Sequence, residues 1–156
     1  MINIITVGKI KDKAVRVMAA EYLKRLQPYH QVKITEVKDY TTSSRDEIIH
    51  QTLEKESEHI LKEVKDQDYV ILLAIEGQEF DSISFSDHLD SIFTYKSSNI
   101  VFIIGGSMGV SQKVIDRANK QWSFSKLTFP HQLFRVMLLE QIYRSFKIKR
   151  NEPYHK

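Results

Sequence analysis

Apolar positions along this 156-residue chain alternate between short strand-like runs and faces with a helical period. Ile2 to Val7 is an apolar strand ended by Gly8. Val15, Met18, Ala19, Tyr22, Leu23 and Leu26 then share one helical face, and Pro28 stops that helix. Val32, Ile34 and Glu36 alternate with Lys33 and Thr35 in a second strand. Lys38 to Ser44 is polar and reads as a loop. Asp46 to Val64 reads as a long charged helix with Ile49, Leu53, Ile60, Leu61 and Val64 inward. Tyr69 to Ile75 is continuously apolar, as expected of a central parallel strand covered on both faces. Ser84 or Ser86 is expected to cap a short helix carrying Leu89, Ile92 and Phe93. A buried-strand signature over Asn99 to Ile104 follows, and Ser111 is expected to cap a helix with Val114, Ile115 and Ala118. A shorter strand near Trp122 and a last helix close the chain. Five strand-helix alternations predict an α/β protein with a mostly parallel sheet flanked by helices, in one domain over residues 1–156.

Composition narrows the chemistry. Hydrophobic residues at 42% and charged residues at 28% are ordinary for a globular protein. There is no cysteine, which excludes disulfides, thiolate catalysis and Cys-based zinc sites. No metal ion is expected. The first residues lack the charged region of a signal peptide, and no apolar run approaches the roughly 20 residues of a membrane span. A cytoplasmic protein with no membrane partner is expected. The net charge of +3 argues for little by itself, but the end of the chain is locally basic. Arg144, Lys147, Lys149, Arg150 and Lys156 face a single acid there, Glu152. Such a tail can hold phosphates, or it can simply be a solvated helix end complementing the dipole.

Two loops near the C-terminus concentrate the candidate chemistry. Gly105-Gly106-Ser107-Met108-Gly109 leaves one strand, and Phe124-Ser125-Lys126-Leu127-Thr128-Phe129 leaves the next. Ligands in open α/β sheets bind at such strand ends. The glycine loop is neither a dinucleotide fingerprint nor a P-loop: it is G-G-x-x-G after a late strand, and no Gly-Lys-Ser/Thr is present. Alone, a plain strand-to-helix turn explains it. Pro130 is a good first residue for the helix that follows. Leu133, Phe134, Val136, Met137, Leu138, Leu139, Ile142, Tyr143 and Phe146 cover almost the whole circumference of that helix. It is either buried in the domain or forms a subunit interface. In so small a protein the interface is favoured, and a homodimer is expected.

The strand-loop IIGGSMG, the peptide FSKLTFPHQLFRVMLLEQIYRSFKI and the ending RNEPYHK resemble the small bacterial methyltransferases that modify N3 of a pseudouridine in 23S ribosomal RNA. These are members of the SPOUT, or α/β-knot, class. The resemblance runs the full length and includes the opening INIITVGKIK and the central VILLAIEGQ. It implies a C-terminal trefoil knot, a rare exception to unthreaded connections. It also implies S-adenosylmethionine as methyl donor and 23S rRNA, in the assembled ribosome, as partner. Matched residue by residue, it implies that Leu73, Gly105, Phe124, Ser125, Lys126, Leu127, Thr128 and Phe129 hold the donor. For Leu73, Phe124 and Phe129 a core role is the alternative.

No residue announces itself as the base that removes the N3 proton. His131 and Arg135 lie four apart on one helix face beside the cofactor loop, and both are catalytic candidates. Arg135 could stabilise a developing uracil anion, or be an ion pair; His131 could be a capping-turn residue. Glu140 and Arg144 read as a structural salt bridge. Tyr154 and His155 are suited to stacking on a base, and the resemblance favours that role over a disordered end. Arg144, Lys149 and Arg150 are expected to bind RNA. Two other classes compete: a related enzyme acting on tRNA, and a non-catalytic ribosome-binding factor that needs no cofactor loop.

Overall fold

In a computed structural model of the chain, residues 1–40 and 46–156 are described, without the side chains of residues 46 and 47. The elements alternate as the periodicities predict: β1 Ile2–Val7, α1 Lys13–Leu26, β2 Val32–Val37, α2 Asp46–Lys62, β3 Tyr69–Glu79, α3 Ser82–Tyr95, β4 Ile100–Ile104, α4 Gln112–Arg117, β5 Lys120–Ser123 and α5 His131–Lys149. The polar loop expected over Lys38 to Ser44 lies partly outside the described residues. All five strands are parallel in one sheet of order β2-β1-β4-β3-β5, so the middle strand is β4 rather than β3.

Both faces of this sheet are covered, and alternate side chains separate the two cores. Ile2, Ile4, Ile71, Ile100 and Phe102 pack with Leu26, Phe85, Leu89, Leu138, Leu139 and Ile142, which are residues of α1, α3 and α5. Ile5, Val7, Val70, Leu72, Val101 and Ile103 pack with Ile60 of α2 and Val114 of α4. The apolar circumference of α5 therefore has an explanation inside one chain. Val136, Leu138, Leu139, Ile142 and Tyr143 are all buried, and the helix packs against both α1 and α3. The interface expected to account for that surface is not needed for it.

Local signals are displaced by a few residues where a neighbouring side chain serves better. Asp81, not Ser84 or Ser86, caps α3, its carboxylate accepting the Ser84 N–H at 2.7 Å. Ser86 is instead buried, donating to the Ser145 carbonyl at 2.9 Å and drawing α3 onto α5. Ser111 does precede α4, but its side chain makes no cap bond. Pro130 sits at the cap position, one residue before α5 begins.

The strand β3 is longer than its apolar run. Leu73 and Gln78 both face Trp122 of β5, so the residues between them bulge out of the ladder. At Gly77 a Cβ would lie 2.6 Å from the Trp122 backbone, so only glycine allows the two strands this approach.

Candidate functional site

The bulge of β3 opens a cavity of about 760 Å³ at the carboxyl ends of β3, β4 and β5. That position is where open α/β sheets bind ligands, and the volume is that of a small-molecule site. Three segments build the walls. Leu73 to Glu76 come from the bulge, Ile104 to Ser107 with Gly109 and Val110 from the glycine loop, and Trp122 to Ser125 with Leu127 to His131 from the last loop.

Each wall has its own support. In the glycine loop, the Gly109 N–H donates to the Gly106 carbonyl at 3.1 Å. A Cβ on Gly105 would come within 2.9 Å of both the Gly109 carbonyl and Val110 Cγ1, so a side chain there distorts the loop itself. In the last loop, the Ser123 hydroxyl donates to the Ser125 carbonyl at 3.0 Å, and the Leu127 N–H donates to Ser125 Oγ at 3.0 Å. Phe124 packs edge-on against Phe134 at 4.9 Å, and also against Phe85 at 5.9 Å. It therefore belongs to the core and to the cavity wall at once. Leu127 is 69% exposed, an apolar side chain held at the cavity with nothing packed over it.

Of the expected donor-binding residues, the structure gathers Leu73, Gly105, Phe124, Ser125, Leu127, Thr128 and Phe129 around this cavity. Lys126, in the same loop, is exposed and is not among the lining residues. Among the lining residues the titratable side chains are Glu76 and His131. Burial lowers the His131 pKa from its usual value, and the Arg135 guanidinium lowers it further, against a smaller opposing effect of Asp39. The ring is therefore neutral at neutral pH. Sequence reasoning did not single out Glu76 or Trp122, because nothing in an apolar strand pattern announces the β3 bulge, which carries Glu76 and pairs with Trp122 at the cavity wall.

Arg135 is corrected. Its side chain is 0% exposed, paired with Glu36 Oε1 at 3.1 Å, and it donates to the carbonyls of Val7 at 2.8 Å and Gly8 at 2.9 Å. A guanidinium so enclosed has no face for a uracil anion. The ion-pair alternative is what the fold uses.

The tail is not a loose end. The helix stops in a Schellman turn: Asn151 adopts φ 52, its N–H donates to the Ile148 carbonyl, and the Glu152 N–H donates to that of Lys147. Tyr154 then folds back onto α5, its ring edge-on to Tyr143 at 5.0 Å and its hydroxyl donating to Glu140 Oε1 at 3.1 Å. Arg144 pairs with Glu140 at 2.5 Å, as expected, lies over the Tyr154 ring and contacts His155 Nδ1 at 3.2 Å. Lys149 is paired with Asp87 and Asp90, and Arg150 stacks on Tyr29. Glu140 is nine residues past His131, roughly 14 Å along the helix. Tyr154 and His155 thus do not line the cavity of their own chain, and two of the three expected phosphate ligands already hold carboxylates.

A family model described as "Predicted SPOUT methyltransferase" matches residues 1–155. The chain belongs to the SPOUT methyltransferase family. It is 48% identical over 157 residues to the ribosomal RNA large subunit methyltransferase H of Clostridium acetobutylicum, and 49% identical over 159 residues to that of Clostridium tetani, with 99% of both partners covered in each case. Its fold is similar to a solved probable methylase family protein from Haemophilus influenzae Rd KW20, with TM-score 0.55 and 12% identity over 99% of this chain and 70% of that one. At that identity the likeness shows the fold alone. The trefoil knot comes with family membership rather than from the strand order.

The SPOUT cavity suits the methyl donor of that family. Leu73, Ile104, Phe124, Leu127, Phe129 and Phe134 form an apolar slot of the kind an adenine ring needs. The glycine loop brings bare backbone to the same space, and among the described residues the Glu76 carboxylate is the one anionic group in the wall.

Proposed function

We propose that this SPOUT protein transfers a methyl group from S-adenosylmethionine to N3 of a pseudouridine in 23S ribosomal RNA, acting on the assembled large subunit or ribosome as a homodimer. The single observation that carries this reading is the cavity at the ends of β3, β4 and β5, with His131 at its edge.

When bound, the donor supplies an electrophilic methyl on a sulfonium. The aromatic and aliphatic wall from Phe124 to Phe134 excludes water and fixes orientation, which is the main contribution a protein makes to an in-line displacement. Backbone N–H and C=O groups of the lining residues Gly105, Gly106 and Ser125 are the ones that would meet a heterocycle's polar edge. His131, uncharged, offers a lone pair where the acceptor nitrogen must shed its proton as the new N–C bond forms. The Arg135 charge behind it opposes early protonation of the ring.

The dimer is supported by a smaller observation than the one the sequence suggested. Val17 at 60%, Met18 at 47% and Leu133 at 38% exposure form apolar surface on α1 and the start of α5. Next to them a second cavity of about 560 Å³, lined by Met18, Leu133, Met137 and Phe129, adjoins the first. A second copy covering this surface would also bring a tail from outside. That is the route by which Tyr154 and His155 could position a base, since they lie away from the cavity of their own chain.

The test is methyl incorporation from labelled S-adenosylmethionine into intact ribosomes, free 23S rRNA and tRNA. Label confined to a pseudouridine of large-subunit RNA supports the reading. Label in tRNA, or none with the donor not bound, identifies the competing tRNA enzyme or the non-catalytic factor.

A further inference from the structure

The segment between β1 and α1 reads Gly8-Lys9-Ile10-Lys11-Asp12-Lys13, with lysines at alternate positions. Ile10 is buried, while Lys9, Lys11 and Lys13 are exposed. Ile10 anchors the loop in the core, and the three lysines around it are left at the surface.

This loop is braced at nearly every peptide. Arg135 donates to the carbonyls of Val7 and Gly8, and Glu36 accepts the Ile10 N–H at 3.3 Å. Arg16 donates to the Ile10 carbonyl at 3.0 Å. The Lys11 N–H donates to Gln132 Oε1 at 2.8 Å, joining the loop to the first turn of α5. Asp12 is occupied as the cap of α1, accepting the Val15 N–H at 3.1 Å. Gln132 follows His131, so the loop is pinned to the edge of the cavity.

Among the described residues none of Lys9, Lys11 and Lys13 forms an ion pair. Glu36, the carboxylate that accepts from this loop, is itself engaged with Arg135. Three cations on a braced backbone, at fixed distance from a ligand cavity, match a repeating polyanion better than a single anion.

We propose that Lys9, Lys11 and Lys13 form a cationic edge that takes the phosphodiester backbone of the RNA beside the target nucleotide, which rests on the RNA reading above. Arg135 is then a positioning residue: it fixes the loop that carries these contacts and touches neither donor nor base.

The experiment is single-turnover methyl transfer to large ribosomal subunits, measured against subunit and salt concentration. It compares the parent with the triple variant Lys9→Gln, Lys11→Gln, Lys13→Gln and with its Lys→Arg counterpart. The glutamine variant should need at least about tenfold more subunit for half-saturation, and its salt slope should fall by about two to three. Melting temperature and S-adenosylmethionine affinity should stay at parental values, and the arginine variant should behave as the parent. A glutamine variant with parental half-saturation and salt slope overturns the proposal, as does a loss confined to donor affinity. A parent that methylates no ribosomal RNA removes the RNA reading itself, and this proposal with it.

Discussion

The two ends of α5 treat charge in opposite ways. At its C-terminal end the cations have partners within the chain: Arg144 with Glu140, Lys147 with Glu152, Lys149 with Asp87 and Asp90, Arg150 over Tyr29. At its N-terminal end Arg135 is buried beneath a loop whose three lysines form no ion pair among the described residues. The C-terminal end is basic in sequence and largely neutralised in the fold. The N-terminal end has no basic cluster in its own sequence, yet there the fold leaves charge available, beside the ligand cavity. Local composition counts charges; only the fold shows which of them remain to meet a partner.

If the working end of α5 is its start, His131→Ala should have the largest consequence. We expect turnover to fall by about 10²- to 10⁴-fold with donor affinity nearly unchanged. Retained turnover would move the proton acceptor elsewhere. The acid limb of the parent's rate profile should lie below the ordinary histidine pKa of 6.5, since burial lowers it. Arg135→Met leaves Glu36 and two loop carbonyls without their donor, and denaturant unfolding should show a loss on the order of 3 kcal/mol. Gly105→Val overpacks the glycine loop, so calorimetry should find donor affinity reduced about ten- to a hundredfold.

The C-terminal end should respond differently. Deleting Pro153 to Lys156 removes the Tyr154 contacts with Tyr143 and Glu140, and unfolding should register a loss of about 1–2 kcal/mol. Donor affinity should survive, and methylation should fall only through positioning of the substrate. Unchanged stability would mean that the tail does not hold this fold-back in solution.

The smallest effect belongs to His30, stacked on Phe146 and tilted against Phe93, with Nε2 buried and unpartnered among the described residues. Burial lowers its pKa from 6.5, so the unfolded chain binds a proton more readily than the folded one. Stability is then full above pH 6.5 and declines as the pH falls below it. Melting curves for His30→Phe should be less sensitive to acid than those of the parent.

Much of this architecture was legible in the chain. Apolar periodicity places most strands and helices, because parallel strands buried on both faces leave unmistakable runs such as Ile100 to Ile104, whereas Lys120–Ser123 carries one apolar residue. The cavity loops were legible through their position after strands and through the family resemblance. What was not legible depended on partners far away in sequence. Arg135 is spaced like a cavity residue, yet Glu36 and the end of β1 claim it from 99 and more than 120 positions away. The apolar girth of α5 is that of a buried helix or of an interface, and only the packing of α1 and α3 decides which. Asp81 displaced two serines as a cap, since several nearby side chains could serve.

The most direct measurement is a crystal structure of the protein soaked with S-adenosylhomocysteine, the demethylated form of the proposed donor. Density between Leu73, Gly105 and residues 124–131 is the predicted result, with the ligand's adenine against Phe124, Leu127 and Phe129. Density in the neighbouring cavity by Met18 and Met137, or none at saturating ligand, would contradict the account.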